Sequence, residues 1–89
     1  MRVSKLLKKV GIMANKNRTA LRALQRLGYT MPSIRKSLLD LNSIKLKELS
    51  GEVSMVTISH VMQGKRVHRK AQRAIANALS LSVKELFSI

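Results

Sequence analysis

The chain has no cysteine and no tryptophan, and its only aromatic residues are Tyr29 and Phe87. Without thiols, neither a disulfide framework nor a thiolate metal site is available. Without aromatic platforms, the usual way of holding unstacked bases of RNA or single-stranded DNA is missing. Acids are scarce too: Asp40, Glu48, Glu52 and Glu85 are all there are. With only His60 and His68 besides, the side chains are too few for a catalytic zinc site, and no metal or cofactor is expected. No acid/base pair, nucleophile constellation or phosphate loop stands out, so no catalytic residue and no enzymatic activity are expected. No apolar run approaches the roughly 20 residues of a membrane span. The basic N-terminus is not followed by the apolar stretch of a secretory signal. Nothing points to a small-molecule ligand.

What is present in excess is positive charge. Eighteen lysines and arginines give a formal net charge of +14 on 89 residues. Residues 1–36 carry ten of these cations and no acid. Such a balance implies a polyanionic partner, nucleic acid before an acidic membrane surface. The shortage of aromatics then favours duplex DNA read by a helix. A chain of this length makes one modest core.

Helical spacing of apolar residues recurs along the chain, and strand-like alternation is weak. Val3, Leu6, Leu7 and Val10 share a face, with Gly11 as a stop. Asn17 is the expected cap of a second helix, with Ala20, Leu21, Leu24 and Leu27 inward and Gly28 past its end. Pro32 opens a third, with Ile34, Leu38 and Leu41 on one face and Asn42 ending it. A short helix is expected over 44–53. Ser54 caps the next, in which Ile58, Val61 and Met62 face inward and which Gly64 ends. Ala71, Ala74, Ile75, Ala78 and Leu79 form a stripe in the helix after that. Ser82 and Glu85 form a capping box that opens a final short helix. Leu81, Val83, Leu86 and Phe87 there serve either the core or a dimer contact. The expected fold is all-α: a compact bundle of about five short helices over 31–89, preceded by a basic helical extension over 1–30. For that extension a packed helix, an arm laid along DNA phosphates, a mobile tail and a membrane-surface helix all stay open.

The segment from Val53 to Arg66 concentrates the functional signal. It has a serine cap, an apolar inward face, and a small or polar outward face that includes Met55, Val56, Ser59, His60 and Gln63. Short side chains let such a helix approach base edges in a major groove about 12 Å wide. Lys65 and Arg66 follow directly, and Arg69, Lys70 and Arg73 come soon after, where they can meet phosphates.

Val53-Ser54, Thr57-Ile58-Ser59 and Gly64-Lys65-Arg66 resemble the second half of a phage-repressor-like (Cro/XRE-type) helix-turn-helix, whose members commonly read Val-Ser-x-x-Thr-Ile-Ser-x-x-x-x-Gly-Lys-Arg. The run from Ala74 to Phe87 is similar to the closing helices of that family, above all in small regulators of transposable phages and prophages. The resemblance covers roughly residues 33–88. It departs at Glu52, where the family usually has glycine, and in the spacing of the helix before the turn. It implies base-edge contacts from Met55, Val56, Ser59 and His60. It implies phosphate contacts from Ser54, Thr57, Gln63, Lys65 and Arg66, to which the charge pattern adds Arg69 and Lys70. The implied protein is a sequence-specific regulator of transcription, a repressor of phage, prophage or mobile-element origin. It would bind double-stranded DNA as a homodimer on a two-fold symmetric operator, in a bacterial cytoplasm. A sequence-tolerant nucleic-acid packing protein and the DNA-binding antitoxin of a toxin–antitoxin pair are the alternatives.

Overall fold

The computed structural model describes the backbone of residues 2–87 and the side chains from Ile12 to Phe87. The described chain is all-α: α1 (Arg2–Arg26), α2 (Met31–Leu41), α3 (Leu46–Leu49), α4 (Met55–Met62), α5 (Arg69–Ala78) and α6 (Val83–Phe87). The expected stripe of Val3, Leu6, Leu7 and Val10 lies outside the described side chains.

Helix ends follow local chemistry closely. Thr30 caps α2 by accepting from the Ser33 amide, and Pro32 sits in the first turn, where a missing N–H leaves no helical bond unmade. Ser54 caps α4 through the Thr57 amide. His68 caps α5, its Nδ1 accepting from Ala71 N at 3.3 Å. The capping box before α6 is complete: Ser82 N donates to Glu85 Oε1, and Glu85 N donates to Ser82 Oγ. At the other ends, Gly28 (φ +88) and Gly64 (φ +77) turn α1 and α4 in the left-handed conformation that glycine adopts without strain. Tyr29 N reaches Leu24 O and Lys65 N reaches His60 O, so the last carbonyls find donors. Ser43 and Ser80 make the same turn after α2 and α5 at φ 56 and φ 55, where a side chain is strained.

The expected break at Gly11 and cap at Asn17 do not occur. Helix α1 runs through both as 25 residues, about 37 Å at the usual rise. One glycine costs a helix only about 1 kcal/mol, less than a second set of helix ends. Asn17 is instead buried. Its Nδ2 donates to Leu79 O at 2.7 Å, and its Oδ1 accepts from Asn42 Nδ2 at 2.9 Å. A side chain that reads locally as a cap is spent on the ends of α5 and α2.

One core unites the helices. Ile34, Leu38, Ile58, Ile75, Leu79 and Leu86 are fully buried. Each such side chain contributes on the order of 2 kcal/mol relative to exposure. Leu21 of α1 joins the same cluster, with Ala20 and Leu24 against it. Leu81 and Leu86 are buried too, and Val83 and Phe87 pack on the cluster, so the closing helix spends its apolar side chains on the core. Two expected core residues face out. Leu27 is 73% exposed because the α1 turn begins there, and Leu41 is 63% exposed because Leu39, not Leu41, completes the inward face of α2. The expected 44–53 helix shrinks to α3, four residues long. No side chain caps its start, and Ser50 leaves it in an extended conformation. Gly51 lies at the surface in the turn that follows.

Candidate nucleic-acid interface

Helix α4 is eight residues long, about 12 Å, and its orientation is fixed at both ends. At the start, the Ser54 cap is reinforced by a hydrogen bond from Ser54 Oγ to Thr57 Oγ1 at 2.9 Å. At the end, Arg35 reaches up from α2. Its Nε donates to Met62 O at 3.0 Å, its Nη1 donates to Leu86 O at 2.9 Å, and the guanidinium lies 4.6 Å from the centre of the Phe87 ring. Arg35 is 4% exposed, and no acid pairs with it among the described residues. Burial pushes its pKa below the ordinary arginine value. What holds the charge there is two main-chain carbonyls, Met62 O and Leu86 O, at the negative ends of α4 and α6. Arg35 is therefore not a solvent-facing cation, although it falls in the acid-free stretch of residues 1–36.

Ile58, Val61 and Met62 are buried, which decides what α4 shows to solvent. With about 3.6 residues per turn, Val56, His60 and Gln63 fall opposite them. All three are exposed, Val56 by 64%. Met55 and Ser59 form one edge of this face and Thr57 the other. Gln63 Nε2 donates to Ser59 Oγ at 3.2 Å, which ties the outward face to the first edge. Arg66 Nη1 donates to Thr57 Oγ1 at 3.3 Å, which folds a cation back onto the second edge. Lys65, Arg66 and Arg69 are exposed beyond Gly64. Lys70 pairs with Glu52 at 3.3 Å, but both side chains are mostly in solvent. Such a pair is worth little and leaves Lys70 open to exchange partners. The structure thus gathers Ser54, Met55, Val56, Thr57, Ser59, His60, Gln63, Lys65 and Arg66 on and around one helix. Arg69 and Lys70 stand in the first turn of α5.

Three cations beside this face carried no functional weight in the sequence reading. Lys36, Lys45 and Lys47, with the single acid Asp40 among them, line a groove of about 680 Å³ between α2, the 44–47 segment and α4, together with Met55, Ser59 and Gln63. The outward face of α4 is therefore banked by lysines on the Met55 edge and by the 65–70 cations on the Thr57 edge. In sequence these lysines are scattered over a dozen residues. Only the packing of α2 against α4 collects them, and no local pattern announces it.

No family model, no curated protein and no solved structure matches the chain. Among the described residues, no helix is long and apolar enough to cross a membrane.

Proposed function

We propose that this protein binds double-stranded DNA sequence-specifically, with α4 in the major groove, and regulates transcription as a repressor of phage, prophage or mobile-element origin. The observation that carries the reading is the disposition of α4. A short helix, capped by Ser54 and held at its end by Arg35, turns Val56, His60 and Gln63 outward between two banks of cations. A helix reading bases needs short or polar outward residues, and phosphates on both groove walls need cations on both sides. His60 and Gln63 supply hydrogen bonds. Val56 and Met55 supply apolar contact of the kind a thymine methyl accepts. Base readout is thus modest in hydrogen bonds, and DNA shape carries part of the discrimination. Two copies on a two-fold symmetric site present two such helices, and repression follows from occupying promoter DNA. The net charge of +14 supplies the salt-dependent part of the affinity.

The test compares binding to the DNA upstream of the protein's own coding region with binding to random duplex, across a salt series. The reading predicts a ratio on the order of 10³ or more at physiological salt. Equal affinity for both DNAs at every salt concentration overturns it in favour of sequence-tolerant packing.

A further inference from the structure

Among the described residues, α4 and α6 do not pack directly on each other; each packs on α2 and α5. Arg35 of α2 joins them. Its guanidinium donates from Nε to Met62 O at the end of α4 and from Nη1 to Leu86 O in α6. The remaining nitrogen, Nη2, lies beneath the turn that ends α4, where a side-chain carbon on Gly64 would stand 3.6 Å from it. Phe87, half-buried, sets its ring 4.6 Å from the guanidinium carbon. A planar cation held at its edges and covered on a face has little freedom to turn. Gly64 is also where the two kinds of candidate contact part. His60 and Gln63 come before it on α4, and Lys65 and Arg66 follow it. The backbone there is closed by Gln63 N to Ser59 O, Gly64 N to Val61 O and Lys65 N to His60 O.

We propose that Phe87 and Arg35 form a clasp through which the closing helix sets the angle of α4, and with it the discrimination between DNA sequences. The inference rests on the regulator reading. Both are positioning residues: neither lies on the outward face of α4, and both act through His60 and Gln63. A hydrogen bond weakens steeply as donor and acceptor lose alignment, so base contacts from a tilted helix are lost. Lysine and arginine stems are long and jointed, so phosphate contacts survive the same tilt. Loosening the clasp therefore costs specific binding and spares the salt-dependent part. Simple loss of folded protein acts differently: it weakens binding to every DNA by one factor and leaves the specific-to-random ratio alone.

Phe87→Leu keeps an apolar side chain on the core and removes the ring from the guanidinium. Its binding to the DNA upstream of the coding region and to random duplex is compared with wild type across a salt series, where circular dichroism shows both folded. The specific-to-random ratio should fall about fivefold or more, as for a lost base contact, with the salt slope unchanged. Phe87→Tyr keeps the ring and should keep the ratio. Without DNA, hydrogen exchange in Phe87→Leu should quicken at amides 63–65 by about threefold or more relative to the Ile58 amide, which Ser54 O holds at the other end of α4. Leu24→Ala, which trims the same core from α1, should change neither the ratio nor that relative protection. The proposal is overturned if Phe87→Leu leaves the ratio of a discriminating wild type intact, if Phe87→Tyr loses as much as Phe87→Leu, or if all amides of α4 lose protection alike. If wild type binds both DNAs equally, the regulator reading falls, and the exchange pattern still decides whether α6 holds the end of α4.

Discussion

The surface of α4 and the face shared by α1 and α2 both expose large apolar side chains, yet their surroundings are opposite in character. Around Met55 and Val56 stand hydroxyls, an imidazole, an amide and two banks of cations. Around Leu41 stand Ala20, Ala23, Leu24 and Ser37, and the one charge there, Asp40, is shared with the groove beside α4. The first setting suits a polyanion with apolar methyl groups. The second suits a protein surface. Exposure of an apolar residue does not by itself say what covers it, and the neighbouring polar groups decide.

Arg35 lies between the two faces, on the helix that borders both grooves, and its loss should have the largest effect. Arg35→Met removes the donors that reach Met62 O and Leu86 O. Stability should fall by about 2–4 kcal/mol in urea unfolding. An unchanged midpoint would break the claim that this guanidinium fixes the end of α4. Ser54→Ala separates the two regions more cleanly. It removes the α4 cap, should cost about 1 kcal/mol, and should leave the hydrogen-exchange protection of α1 unaltered at neutral pH.

Acid should act on the other region. Arg18 binds Glu85 through both carboxylate oxygens, Nε to Oε2 at 2.6 Å and Nη2 to Oε1 at 3.1 Å. With the hydrogen bonds from Ser82, this holds the Glu85 carboxyl down from its ordinary 4.5 to about 2. A carboxylate lowered in the folded state stabilises fully above its unfolded value and loses that contribution as pH falls through the folded one. Between pH 4.5 and 2 the amides of α1 should therefore lose hydrogen-exchange protection before those of α4. Glu85→Gln should abolish that difference. The smallest expected change is a gain. Ser80→Gly relieves a left-handed serine and should add about 0.5 kcal/mol, net of glycine's greater freedom when unfolded.

Much of the α4 region was legible because its determinants are local. A cap and its amide are three residues apart, and a left-handed glycine follows its helix directly. Ser54, Gly64 and the Ser82–Glu85 box were readable for that reason, as were Ile58, Val61 and Met62 from their spacing. The α1–α2 region was not, because its determinants are long-range. Asn17 reads as a cap until Leu79 and Asn42 are brought to it from 62 and 25 residues away. Arg35 reads as one more surface cation until two helix ends surround it. Leu27 and Leu41 fit an apolar stripe, but the turn after one and the position of Leu39 beside the other leave both outside. The bank formed by Lys36, Lys45 and Lys47 was hidden for the same reason.

The central claim is that the outward face of α4 discriminates sequence while the cations after Gly64 anchor the protein to phosphates. It is tested most directly by one salt series on specific and random duplex with wild type, His60→Ala and Lys65→Ala. The account predicts that His60→Ala lowers the specific-to-random ratio and leaves the salt slope alone. Lys65→Ala should weaken both DNAs alike and reduce the slope by about one. The account is contradicted if His60→Ala leaves the ratio intact, or if Lys65→Ala alters the ratio and not the slope.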